Sequence, residues 1–115
     1  MDEKIKFSDW QKLDLRVGEI KTVEKVPDTD NLYNLEVDLG DNTQIVVSGL
    51  VPYYTEEQLQ NKKIILFTNL EPKTIRGIES KGMVLAATTK DKDGEWIKVK
   101  LLQPDDDIEL GARIS

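Results

Sequence analysis

The cleanest period-two pattern in the chain spans residues 32–39, where Leu35, Val37 and Leu39 alternate with Glu36 and Asp38. Such alternation places the apolar set on one strand face and the carboxylates on the other. Residues 14–26 alternate less regularly and exceed the usual length of a strand. Gly18 predicts a bulge or bend there, so that one long strand serves two parts of a sheet. Residues 43–48, 63–68 and 82–88 carry compact apolar runs, among them Ile45-Val46-Val47, Ile64-Ile65-Leu66-Phe67 and Met83-Val84-Leu85. Short runs of this kind read as buried strands. In residues 95–101, Trp96, Lys98 and Lys100 alternate with Ile97, Val99 and Leu101, and Asp93-Gly94 predicts a hairpin turn before them. Dense turn chemistry separates the earlier strands, at Pro27-Asp28-Thr29-Asp30-Asn31 and Gly40-Asp41-Asn42.

Two short helical starts interrupt this pattern. Thr55 and Gln58 form a capping-box pair, Glu56 and Glu57 suit the positive end of the helix dipole, and Tyr54 and Leu59 occupy the staple positions. Asn61 is the expected stop. Ser8 and Gln11 repeat the box near the N-terminus, with Phe7, Trp10 and Leu13 as expected apolar anchors. The tail returns to the body through Ile108, Leu110 and Ile114. The order predicts an all-β chain with a short helix between the third and fourth strands of a five-stranded barrel. That order fits the OB arrangement, and by spacing alone it fits another small β-barrel equally.

Residues 69–82 form a polar stretch between two apolar strands, with Pro72 and Gly77 inside it and Gly82 at its end. Pro72 suits a turn, and the glycines permit positive φ or close backbone approach. A rigid scaffold thus presents Lys73, Arg76 and Lys81 on a connecting segment, where binding residues concentrate.

Charge sharpens that picture. The 115 residues carry a formal net charge of −6, which taken whole disfavours a polyanion partner. Residues 60–100 nevertheless hold 9 basic and 5 acidic groups, a local excess of +4. Positive charge is concentrated around the polar stretch, as expected of an anion-facing side.

The chain contains no histidine and no cysteine. That removes the commonest general base, Ser-His-Asp and Cys-His catalysis, disulfides and the usual soft metal ligands. Asp28-Thr29-Asp30-Asn31 mimics the start of a calcium loop, but Tyr33 and Leu39 stand where glycine and glutamate are required. No phosphate-cradling glycine motif is present. The expectation is a non-enzyme without metal or cofactor. With no apolar run of membrane-spanning length and no apolar N-terminal stretch, the expected location is cytoplasmic.

Four ordered segments resemble one family. They are Phe7-Ser8-Asp9-Trp10-Gln11-Lys12-Leu13-Asp14-Leu15-Arg16-Val17-Gly18, Asn31-Leu32-Tyr33-Asn34-Leu35-Glu36-Val37-Asp38-Leu39-Gly40, Val47-Ser48-Gly49-Leu50, and the run from Asn69-Leu70-Glu71-Pro72 through Arg76-Gly77 to Ser80-Lys81-Gly82-Met83. Together they are similar to the stand-alone tRNA-binding domain family. The same domain forms the C-terminus, or β subunit, of methionyl-tRNA synthetase. The resemblance covers residues 7–114 and implies one OB-fold domain over 1–115. It further implies a homodimer joined through terminal elements, and recognition of tRNA by shape rather than anticodon. RNA contacts are implied at Asn69, Arg76, Ser80 and Met83, with Lys73 and Lys81 as neighbouring phosphate partners. Glu71 and Thr74 depart from the family, which carries lysine at both positions. A docking subunit acting through protein contacts, and a chaperone-like peptide binder on the same fold, are the alternatives.

Overall fold

The computed structural model describes residues 3–115. Helix α1 (Phe7–Trp10) leads into strand β1 (Leu15–Lys25), followed by β2 (Tyr33–Asp38) and β3 (Thr43–Ser48). Helix α2 (Glu56–Leu59) precedes β4 (Lys63–Phe67), the short strands β5 (Lys73–Ile75) and β6 (Ile78–Ser80), then β7 (Met83–Val84), β8 (Ala86–Lys90) and β9 (Trp96–Leu101). The main sheet is antiparallel, in the order β3-β2-β1-β4-β7. Its two outer strands approach each other through β6: the Lys81 N–H donates to the Ile45 carbonyl at 2.8 Å, and the Val47 N–H donates to Ser80 Oγ at 3.0 Å. The sheet is thereby a nearly closed five-stranded barrel, the expected fold.

β1 serves two parts of the sheet, as its length predicted. Residues 15–19 pair with β4 and residues 19–25 with β2. The bulge sits at Lys21 rather than Gly18, between the pairs Ile20↔Val37 and Thr22↔Glu36. Gly18 instead makes room for β2, since a Cβ at this position would lie 2.5 Å from Val37 Cγ1. The bulge falls where α2 ends, with the Asn61 N–H donating to the Ile20 carbonyl at 2.8 Å. Where β1 has left β2, the C-terminal tail takes its place. Ile114 and Gly111 each donate an N–H to β1, at Leu15 and Val17, and Val17 donates back to Ala112.

The interior follows the alternation: Leu35, Val37, Leu39, Val46, Ile64 and Leu66 are buried together with Ile20, Tyr33 and Leu59. Leu15, Val17 and Ile65 face outward and are covered by Trp10, Phe67, Leu110 and Ile114. Helix α2 forms as expected, with both halves of the Thr55–Gln58 box made, Leu59 buried and Asn61 in the left-handed region at φ 65.

The N-terminal helix does not use its box. Lys6 is the N-cap, no side chain caps it, and Ser8 lies inside the single turn. Phe7 is 70% exposed rather than an anchor. Ile108 also stays half-exposed, while Leu110 and Ile114 pack as expected. The last predicted barrel strand divides at Leu85, whose N–H still reaches the Ile65 carbonyl at 3.1 Å.

Candidate nucleic-acid interface

The polar stretch is not a simple loop. Its middle folds into a hairpin of its own, pairing Lys73↔Ser80, Thr74↔Glu79 and Ile75↔Ile78. Arg76 and Gly77 make the two-residue turn, with φ of 52 and 80. Positive φ at both central positions is the signature of a type I′ turn, whose twist matches that of the flanking strands. Gly77 adopts this conformation freely; Arg76 does so against its preference. The outcome is a guanidinium at the exposed tip of a short, twisted β-ribbon.

The hairpin is held to the barrel from below. Ser80 is 5% exposed, and its Oγ satisfies the β3 backbone at Val47. Gly82, at φ 111, lets the chain pass so close to β4 that a Cβ would lie 2.6 Å from the Phe67 carbonyl oxygen. Asn69 braces the other end: Oδ1 accepts the Asp14 N–H at 2.9 Å and Nδ2 donates to the Lys12 carbonyl at 2.8 Å. The Thr68 backbone and hydroxyl both donate to the Asp14 carbonyl, doubling that joint.

The six residues named from the sequence therefore divide. Lys73, Arg76, Lys81 and Met83 are exposed, Met83 by 46%. Lys81 Nζ lies 3.4 Å from Glu79 Oε1 and is partly neutralised. Asn69 and Ser80 have their polar atoms engaged by the protein backbone. Their place is to fix the hairpin that carries the cations. Nothing in the spacing signalled either backbone partner, since Val47 is 33 residues from Ser80 and Asp14 is 55 from Asn69.

A second cation-bearing ribbon lies further along the same chain. β8 and β9 pair Ala87↔Lys100 and Thr89↔Lys98 on one face, and Thr88↔Val99 and Lys90↔Trp96 on the other. An extra residue, Ile97, shifts the register between them. That bulge turns Trp96 onto the inner face with Val99, not onto the face of Lys98 and Lys100 that simple alternation predicts. Trp96 stacks obliquely on Tyr53, with ring centroids 6.4 Å apart. The two-residue Asp93-Gly94 turn is likewise replaced by the longer connection 91–95, in which Asp91 accepts the N–H groups of Asp93 and Glu95.

A nearly closed barrel with a helix between its third and fourth strands is an OB-fold, here with a cationic hairpin before its last strand. Comparison with known proteins narrows the class. The family model described as "Putative tRNA binding domain" matches residues 15–113, and the chain belongs to that family. It is 50% identical over 112 residues to the methionine–tRNA ligase of Thermococcus onnurineus, covering 97% of this chain and 14% of that protein. The chain thus spans about one-seventh of that relative's length. Among solved structures, the MetRS-related protein from Pyrococcus horikoshii superposes with a TM-score of 0.86 at 34% identity, over 98% of this chain and 99% of that one. The CsaA chaperone protein from Picrophilus torridus gives a TM-score of 0.83 at 36% identity, over 97% of this chain and 100% of that one.

Proposed function

We propose that this chain is a non-catalytic homodimer that binds tRNA by shape and backbone and assists a methionyl-tRNA synthetase. The observation that carries the reading is Arg76, fixed in an unfavourable backbone conformation at the tip of a braced hairpin beside Lys73. A sparsely populated backbone geometry at an exposed cation points to a contact made outside the chain. Cations held this way neutralise phosphates with little sequence preference. The β5–β6 hairpin carries no aromatic residue for base stacking, and the exposed aromatics Phe7 and Trp96 lie on other elements, which favours a folded, largely duplex RNA over a single strand. The synthetase link rests on the methionine–tRNA ligase relatives.

The test is a filter-binding titration with total tRNA at low and moderate salt. Arg76→Ala weakens binding by about 1–3 kcal/mol, as expected for loss of a charge-assisted contact. Glu71→Lys tightens binding, because an exposed carboxylate beside the hairpin repels phosphate. If neither variant moves the affinity, the docking-subunit reading replaces this one. Similarity to a CsaA chaperone favours peptide binding as the second reading. Saturable capture of an unfolded polypeptide, competing with tRNA, would support it.

A further inference from the structure

We propose that the outer face of the β8–β9 hairpin, bearing Lys98 and Lys100, is a second contact surface for the RNA backbone. The inference rests on the tRNA-binding reading and extends it to an element outside the β5–β6 hairpin. Lys98 and Lys100 lie two residues apart on one strand face, a separation of roughly 7 Å at the usual strand rise. That is comparable to the step between successive phosphates along one nucleic-acid strand. Across the ladder stand Ala87 and Thr89, whose short, uncharged side chains leave both ammonium groups open. Among the described residues neither lysine has a carboxylate partner within salt-bridge distance, whereas Lys12, Lys21, Lys63 and Lys81 each do.

Charge within this hairpin is segregated rather than mixed. Residues 86–101 hold four lysines against Asp91, Asp93 and Glu95, a net of +1. All three carboxylates lie in the connection 91–95, where Asp91 folds back on the backbone of its own turn. The outer strand face, with Lys98, Lys100, Ala87 and Thr89, is left without a carboxylate. The inner face holds the ribbon in place: Val99 is buried in the core, Trp96, still 50% exposed, packs one side on Tyr53, and the Leu101 N–H donates to the Tyr54 hydroxyl at 3.1 Å. The two ribbons are separated in the chain only by β7 and its flanking residues 81–85.

The experiment compares the wild-type chain, Lys98→Gln/Lys100→Gln, Lys98→Arg/Lys100→Arg and Arg76→Ala. Each is titrated with total tRNA across a salt series, with thermal melts alongside. The glutamine pair is expected to bind about ten-fold more weakly. Its log–log salt slope becomes less negative by about one to two units, near 0.9 for each phosphate no longer neutralised. The arginine pair keeps wild-type affinity and slope, and all variants melt with the wild type. Wild-type affinity and slope in the glutamine pair, with Arg76→Ala still weakened, overturns this surface and leaves the first hairpin standing. Weak binding by the arginine pair at an unchanged melting temperature also overturns it. A wild-type chain that binds no tRNA overturns both readings.

Discussion

Ser80 Oγ accepts the Val47 N–H at 3.0 Å, and this one side chain joins the Arg76 hairpin to the edge of the barrel. Ser80 is the polar residue buried among the described side chains, at 5% exposure. Ser80→Ala removes the acceptor and strands a buried backbone donor. Such a loss costs about 1–3 kcal/mol. Urea unfolding of the alanine variant is expected to show that drop, with an unchanged dependence on denaturant concentration. Ser80→Thr keeps the hydroxyl and is expected to recover most of it.

The glycines flanking this joint separate backbone strain from collision. At Gly77 a Cβ meets nothing within 4 Å, so Gly77→Ala carries only the cost of a positive φ, about 1–2 kcal/mol. At Gly82 the φ is 111 and a Cβ would press on the Phe67 carbonyl oxygen at 2.6 Å. Gly82→Ala is expected to lower the melting temperature well beyond the Gly77→Ala variant. Equal melting of the two would show that β7 is not held against β4 as described.

These joints mark what the sequence made legible and what it hid. The core of β2 was readable because Leu35, Val37 and Leu39 share the dry face while Glu36 and Asp38 between them take the other. Helix α2 was readable because a capping box is a local contract between Thr55 and Gln58, three residues apart. The same pattern at Ser8 and Gln11 misled, since the helix is capped two residues earlier, at Lys6, and lasts a single turn. Long-range partners left no trace in spacing: the family resemblance implied RNA contacts at Asn69 and Ser80, and the structure adds backbone partners for both, at Asp14 and Val47. The β5–β6 hairpin was hidden because its turn uses Arg76-Gly77 in place of the common Asn-Gly signal.

The ion pair at the start of β1 contributes to acid stability. Arg16 grips Asp14 with Nε at 2.8 Å and Nη2 at 3.3 Å, and this holds the Asp14 carboxyl below the usual aspartate range. A lowered folded-state pKa adds stability above the unfolded value and loses it as pH falls through the folded one. The pair's contribution is therefore complete at neutral pH and is lost progressively below about pH 4. Asp14→Asn is expected to lower stability at pH 7 and to flatten the acid limb of a melting-temperature profile. An unaltered limb would place the acid sensitivity in other carboxylates.

Ile5, Phe7, Trp10 and Leu13 line an open apolar groove beside α1, with Ile5 79% and Phe7 70% exposed. Isologous pairing of two chains through this surface would remove it from water. Phe7→Ser with Leu13→Ser is expected to shift the light-scattering mass at micromolar concentration from dimer to monomer, while leaving the barrel folded. A monomer mass for the wild-type chain would sink the homodimer.

Arg76 offers the sharpest separation of structure from function. It holds φ 52, where asparagine and glycine are at ease and arginine is not. Its side chain is exposed, and among the described residues it makes no ion pair. Arg76→Asn should therefore relieve backbone strain and raise stability by up to about 1 kcal/mol, the scale of such outliers. The same change removes the cation and should weaken tRNA binding by about 1–3 kcal/mol. Stability and affinity then move in opposite directions from one substitution. Arg76→Lys keeps the charge and most of the strain, and is expected to retain part of the affinity without the stability gain. If Arg76→Asn unfolds the protein, the guanidinium is structural. If it binds tRNA as the wild type does, the hairpin tip does not touch the RNA.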